Sequence, residues 1–315
     1  MDKKIGLFWL RDDFRVSKNG GLIEATRNHD QVVVFYLYKE NIFKNQQAQK
    51  WWLSKSLENF KKDLIKININ LEIIQTESFS HFFDKLLKKN NFSLYWNKVY
   101  EPDYLKFDNH LSKNLINKKI SFKIFKGNLL NELNEIKKND GTPFKVFTPF
   151  WRNAEKYYLE KIPSKLKVIK KCKKSKNYFK NCIEPEKILP KKNWYKKFDK
   201  LWSPSEENAL KELKKFIKTK ILNYAEKRNF PNIIGTSKLS PFIKFGQIHV
   251  ETVWSECVKN KNIGTSKYLA EIGWREFNHS LINYFPYMLK GNYYKKFDKF
   301  PWEKNSKYLS AWQKG

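Results

Sequence analysis

The sequence predicts an α/β protein in which a doubly wound parallel sheet precedes a second, all-helical domain. Three observations carry that expectation. Short runs of aromatic and β-branched residues alternate with segments of helical spacing over the first 130 residues or so. A lysine-rich, irregular stretch then interrupts the pattern, and beyond residue 204 strand patterns disappear. Strands separated by helices imply a parallel sheet covered on both faces.

In order, the strand-like runs are IGLFWL (5 to 10), QVVVFYLY (31 to 38), NLEIIQ (70 to 75), SLYWNK (93 to 98) and residues 120 to 125. Between them, AQKWWLSKSLENFKKDLIK (48 to 66) and the segment from Asp103 to Asn117 repeat their apolar residues at helical spacing. The expected boundaries are an α/β domain over 1 to 130, a linker over 131 to 203 and a helical domain over 204 to 315. In the linker, KLKVIKKCKKSKNYFKN (165 to 181) and PEKILPKKNWYKKFDK (185 to 200) read as a connection over the surface. The helical part is carried by SEENALKELKKFIKTKILNYAEKR, SPFIKFGQIHVETVWSECVKN and SKYLAEIGWREFNHSLINYF. The usual dinucleotide fingerprint is missing, because LRDDFR follows the first strand and offers no glycine to let a pyrophosphate approach the backbone.

Composition narrows the class. A hydrophobic fraction of 41% with 30% charged residues describes a globular chain rather than a disordered or membrane one. The longest apolar run, VVVFYLY, has seven residues, against the roughly 18 to 20 of a bilayer span. The apolar run near the N-terminus is six residues long and meets Arg11, Asp12 and Asp13, too short for a signal-peptide core. A cytoplasmic location is expected. Cys172, Cys182 and Cys257 have no metal-type spacing, so neither a zinc site nor a disulfide framework is expected.

The net charge of +31 points toward nucleic acid. An AT-rich coding sequence would write the same lysine and asparagine bias on any solvated surface, so the charge alone does not decide the partner. The bias makes the six arginines, Arg11, Arg15, Arg27, Arg152, Arg228 and Arg275, informative. Where lysine is the default, arginine marks a need for the planar, bidentate guanidinium. The five histidines are scattered, and no nucleophile elbow or pair of catalytic carboxylates is present.

GTSK occurs twice, at 235 to 238 and 264 to 267. After the first copy, Ser240 reads as an N-cap with Pro241 at the first helical position. Thr236, Ser237 and Ser240 would then gather hydroxyls and free N–H groups at a positive helix end suited to a phosphate or pyrophosphate. The second copy reads as the start of a helix near Ser266. Its face carries Glu271, Trp274, Arg275 and Asn278 at i, i+3, i+4 and i+7. The plain reading is a Glu271–Arg275 salt bridge beside a core tryptophan. The alternative is a surface that stacks on a base while bonding its edges.

NYAEKRNFPNIIGTSKLSPFIKFGQIHVETVW (223 to 254) followed by YLAEIGWREFNHSLINYFP (268 to 286) resembles the flavin-binding core of the cryptochrome/photolyase family. LFWLRDDFR, GTPFKVFTPFWR (141 to 152) and FPWEKNSKYLSAWQKG (300 to 315) resemble further segments of that family in the same order. The resemblance spans the whole chain and points to bacterial deoxyribodipyrimidine photolyases, which repair cyclobutane pyrimidine dimers. It implies FAD in the helical domain and an antenna pigment on a Rossmann-like α/β domain. It implies UV-damaged DNA as partner; a monomer with no metal and no membrane contact is expected.

By that resemblance, Tyr224, Thr236, Ser237, Lys238, Leu239 and Ser240 contact the flavin around its pyrophosphate and ribityl chain, as does Arg275. Lys238 replaces the arginine usual in the family. Glu271 and Trp274 match residues that bond and stack against the flipped dimer. Arg228 matches a DNA contact near the lesion, and Arg275 and Asn278, on the helical face of Glu271 and Trp274, are expected to contact the DNA with them. Trp302 resembles the surface end of a tryptophan chain that passes electrons to the flavin, while Trp312 is expected in the core. The implied reaction is light-driven electron transfer from reduced flavin to the dimer, with the cofactor doing the hard chemistry.

WNKVYEPDYLKFD (96 to 108) has Pro102, Asp103 and Tyr104 where folate-binding members resemble an Asn-Glu pair, which leaves folate, deazaflavin, flavin or no antenna open. The chain ends at AWQKG where family members continue with more helices, so a truncated frame is expected, with Leu281, Ile282, Tyr284 and Phe285 exposed. Besides repair, the residues allow a cryptochrome-type photoreceptor, an inactive fragment that binds DNA through charge, or a (6-4) photoproduct lyase.

Overall fold

The computed structural model describes residues 4–160, 169–260 and 262–315. Five parallel strands, β1 (Ile5–Leu10), β2 (Val32–Tyr38), β3 (Asn70–Gln75), β4 (Phe92–Asn97) and β5 (Phe122–Phe125), form one sheet in the order β3-β2-β1-β4-β5. Leu7 is in register with Val33 on one side and Leu94 on the other. Helices α1 (Gly20–Asn28), α2 (Gln47–Ile65), α3 (Phe79–Leu86) and α4 (Pro102–Asn117) make the crossovers.

The strands read as unbroken apolar runs because both faces are covered. Phe8, Leu10, Val32 and Val34 point into one cluster with Leu22 of α1 and Trp51, Leu57 and Phe60 of α2. Leu7, Trp9, Val33 and Phe35 point the other way, onto Phe83 of α3 and Leu111 of α4.

The helical layer packs on the first face. Its elements are α5 (Phe147–Glu160), α6 (Lys196–Leu201), α7 (Glu206–Thr219), α8 (Tyr224–Lys227), α9 (Ser240–Lys244), α10 (Val250–Val258), α11 (Ile263–Tyr284) and α12 (Ser306–Lys314). Phe150, Phe216, Phe242, Val253 and Phe277 belong to the same buried cluster as the sheet residues, so one core runs through both layers. Polar contacts fix the junction: the Trp52 indole N–H donates to Gln247 Oε1 at 3.0 Å, and Gln247 donates to Ser56 Oγ at 3.1 Å.

Several local expectations change. The stretch expected to be irregular contains α5, with Pro149 in its first turn, where a missing N–H costs no helical bond. The second GTSK does not open its helix: α11 begins at Ile263, and Asn262 is the cap, its side chain accepting from Thr265 N at 2.9 Å. Ser240 is the first residue of α9 rather than its cap, and the bond that orders this corner runs from Leu239 N to Ser237 Oγ at 3.2 Å. Leu281 is buried and Ile282, Tyr284 and Phe285 are half-buried, because α11 lays this end against its neighbours. Trp312, expected in the core, is 88% exposed on α12. No helix among the described residues is long and apolar enough to cross a membrane.

Candidate cofactor and nucleic-acid site

In a doubly wound sheet, ligands bind outside the carboxyl ends of the strands where the strand order reverses, here between β1 and β4. The floor of that crevice is occupied by the protein's own polar groups. Arg11 makes a fork to Asp108, Nη1 to Oδ1 at 2.9 Å and Nη2 to Oδ2 at 3.1 Å. The amide of Asn97 bridges Asp13 and Asn19, while its oxygen accepts from Gly21 N at 2.9 Å. Burial raises the Asp13 pKa, with the nearby Arg15 pulling in the opposite direction. The LRDDFR segment thus fills the place where a dehydrogenase seats its pyrophosphate.

Above this floor, between Tyr100 and Glu101 after β4 and the helical layer, lies a cavity of about 550 Å³, within the range of cofactor sites. Seven of the residues singled out from sequence line it: Tyr224, Thr236, Ser237, Lys238, Ser240, Glu271 and Arg275. Leu239, between them, is fully buried and supports the loop from behind.

The loop before α9 is suited to an anion. Lys238 adopts a left-handed backbone, φ 56°, which turns the chain between Ser237 and α9. Tyr268 donates to Ser237 Oγ at 3.2 Å, and Lys220 Nζ donates to Thr236 O at 3.4 Å. Burial lowers the Lys220 pKa and the neighbouring Lys238 charge lowers it further. Among the described residues neither ammonium has a carboxylate within ion-pair distance, so an anion here would relieve their mutual repulsion.

Glu271 and Arg275 do not pair with each other. Arg228 holds Glu271 in a direct ion pair, while Arg275 Nη1 bonds Glu276 Oε1 at 2.8 Å. Glu276 is buried, and its other oxygen accepts from Leu130 N at 2.8 Å. Because each has its own partner, Glu271 and Arg275 both line the cavity without pairing with each other. Trp274 and Asn278 are exposed on the same helix and lie outside the cavity lining. One face of the Trp274 ring stacks on Phe147, with centroids 3.8 Å apart and planes 9° apart.

Trp302 is 73% exposed and contacts Phe300, with no ring contact leading to the cavity among the described residues. Sequence reasoning missed Lys244, Asp12, Tyr100 and His279, all of which line the cavity. Lys244 Nζ lies 2.7 Å from Asp12 Oδ2 and 3.2 Å from Glu101 Oε1. Burial disfavours its charge, yet the two carboxylates outweigh it and raise the pKa. Its charge is therefore already satisfied, unlike that of Lys238.

His279 is pushed down to about 3 by burial, with Arg275 and Lys244 adding to the effect. The unfolded chain takes up the proton near 6.5 and the folded one does not until about 3, so stability falls as pH drops below about 6.5. At pH 5 this single group is expected to cost about 2 kcal/mol. Urea midpoints at pH 7.5 and pH 5 should converge by a comparable amount in His279→Gln; an unchanged difference would show that the imidazole already carries its proton.

The DNA photolyase family model matches residues 6–167. The chain belongs to the DNA photolyase family. A deoxyribodipyrimidine photo-lyase of Agrobacterium fabrum is 31% identical over 98% of this chain and 65% of its own length. Cryptochrome-2 of Arabidopsis thaliana is 27% identical over the whole chain and 54% of its own length. Among solved structures, a class III photolyase from Agrobacterium tumefaciens superposes over the whole chain and 66% of its own, with a TM-score of 0.87 and 28% identity. An archaeal photolyase from Sulfolobus tokodaii, described with two FAD molecules, shares the fold with a TM-score of 0.78 at 21% identity. This photolyase-family chain spans 54 to 65% of the length of these two curated relatives.

Proposed function

We propose that this chain binds FAD in the cavity between the sheet and α11 and acts on UV-damaged DNA as a cyclobutane-dimer photolyase. The observation that carries the reading is that one cavity gathers an anion-ready loop, Thr236 to Ser240, and the Glu271 and Arg275 side chains of α11. The residues fit the cofactor: Lys238 with the hydroxyls of Thr236, Ser237 and Ser240 in the cavity lining, and Lys220 bonded to Thr236 O, match a diphosphate, and the Tyr224 and Tyr268 side chains supply an apolar wall.

When bound and reduced, the flavin supplies an electron under light. The protein's part is placement. The Arg228–Glu271 pair fixes a carboxylate that can accept from the edge of a flipped pyrimidine, and Trp274, backed by Phe147, offers a stacking plane beside it. No side chain needs to transfer a proton, in keeping with a cavity whose histidine is held neutral. The same reading leaves the α/β layer open to folate, deazaflavin, flavin or no antenna.

The test is titration of the purified protein with FAD, followed by loss of thymine dimers from irradiated duplex under blue light. Flavin absorption with light-dependent repair is the expected result. Flavin binding with no dimer loss would replace repair by cryptochrome-type photoreception. Absence of any flavin binding would overturn the assignment of the cavity.

A further inference from the structure

The lysine-rich stretch after residue 168 is not a loose connection. From Ile169 to Ile183 it wraps the β3 edge of the sheet, and backbone and side-chain bonds pin it along its length. Cys172 N donates to Ile67 O at 3.0 Å, Lys173 N to Asp30 O at 2.8 Å, and Ile183 N to Ile73 O at 2.9 Å. The amides of Asn68 and Asn70 donate to Cys172 O and Ser175 O at 3.0 and 2.9 Å. Tyr178 N and Phe179 N both donate to the buried carboxylate of Glu72, at 2.8 and 2.7 Å. The strap closes an edge that would otherwise offer unpaired strand groups.

Its inward positions recur every third residue. Cys172 is buried and Ile169, Ser175 and Tyr178 are half-buried, while Lys170, Lys171, Lys173, Lys174 and Lys176 are exposed. Five of seven consecutive residues are thus lysines projecting from a fixed backbone. Lys173 lies 3.7 Å from Asp30; among the described residues the other four have no carboxylate within ion-pair distance. Unpaired lysines are common on the rest of the surface too, and among the described residues Lys85, Lys88, Lys106, Lys113 and Lys118 form no ion pair either, so the strap differs in how densely its lysines are set. Composition bias explains lysines in general but not five of them within seven residues on a backbone pinned along its length.

We infer that this strap is a second DNA-binding surface, which grips the phosphate backbone of undamaged duplex independently of the lesion site. Its first half lies by the amino ends of β2 and β3, whereas the cavity lies at the carboxyl ends of β1 and β4. A six-residue strand separates those ends by roughly 20 Å, so the strap adds to lesion recognition rather than belonging to it. DNA is favoured as the polyanion because the reading of the cavity makes DNA the substrate, and the inference rests on that reading for this choice. Held along the duplex by phosphate contacts, the protein can slide between lesions.

The experiment compares the salt dependence of binding to an undamaged duplex for the intact protein and two quintuple variants, with no flavin, light or lesion required. One variant carries Lys→Gln at 170, 171, 173, 174 and 176. The other carries it at the equally exposed Lys85, Lys88, Lys106, Lys113 and Lys118, so net charge is matched. Each phosphate contact contributes about 0.9 to the slope of log affinity against log salt. The strap variant should lose about 3 from that slope and the control variant less than about 1, with Lys→Arg at the strap positions restoring it. Equal losses in the two variants, or none in either, would overturn the inference. Strap-dependent capture on phosphatidylserine vesicles with an unmoved DNA slope would overturn it in favour of a lipid surface. Absence of dimer repair alongside a strap-specific slope would remove the photolyase reading and leave the strap standing.

Discussion

Trp274→Ala is expected to weaken binding of dimer-containing duplex by about 10- to 100-fold while changing the affinity for undamaged duplex less than about twofold. The magnitude follows from base–aromatic stacking, worth about 1–3 kcal/mol per base. The indole is 42% exposed, so its loss leaves little cavity in the core. Phe147 locks the ring from behind at 3.8 Å, which spares an incoming base the entropy of ordering it. The asymmetry between the two duplexes is the discriminating part. An intact duplex keeps its bases stacked on one another and has nothing to lay on the indole, whereas a flipped dimer does. Filter binding or fluorescence anisotropy with both duplexes measures the ratio. Equal weakening on both would make Trp274 a general DNA contact, and no weakening on either would remove it from the site. Phe147→Leu should reproduce part of the loss without touching the base face.

The sequence made the sheet legible because each strand is buried on both sides and leaves a short, dense apolar signature. All five strand runs lie within two residues of the observed ends. Helix α1 was less visible because its register alternates small residues, Gly20, Gly21 and Ala25, with a few apolar ones. Of the six arginines, Arg11 makes the bidentate fork and Arg15 spans two backbone carbonyls, both of them buried, while Arg228 and Arg275 each reach a carboxylate through one nitrogen. Arg27 and Arg152 are simply exposed. Of the cavity, the residues contributed by two short sequence blocks could be found. Lys244, Asp12 and Tyr100 could not, because they meet only when the ends of β1 and β4 are folded against α9. Their sequence separations, 232 residues for Lys244 and Asp12, leave no local pattern. Helical spacing allows a Glu271–Arg275 pair, but Glu271 is taken by Arg228, 43 residues away, and Arg275 by its own neighbour Glu276.

Gly246 shows how closely the two layers depend on one contact. It adopts φ 64°, and a Cβ there would come 2.0 Å from Asp12 O and 2.7 Å from the backbone of Asp13. Its own carbonyl accepts from Arg15 Nη1 at 2.8 Å, and its neighbour Phe245 accepts from Phe14 N at 3.2 Å. Gly246→Ala is therefore expected to destabilise the protein by about 3–5 kcal/mol, combining left-handed strain of about 1 kcal/mol with a backbone-to-backbone clash that no rotamer can relieve. The neighbouring backbone can give way only by moving the loop after β1, which carries Asp12. That shift would pull Asp12 from Lys244 at one wall of the cavity, so flavin affinity should fall along with the urea midpoint. Asp12→Asn separates the two effects. It keeps the backbone and weakens the ion pair, and it should lower flavin affinity with a much smaller change in midpoint. If Gly246→Ala leaves the midpoint unchanged, the two layers are not held at this contact, and the cavity wall formed by the loop after β1 must be set by Arg15 and Phe14 alone.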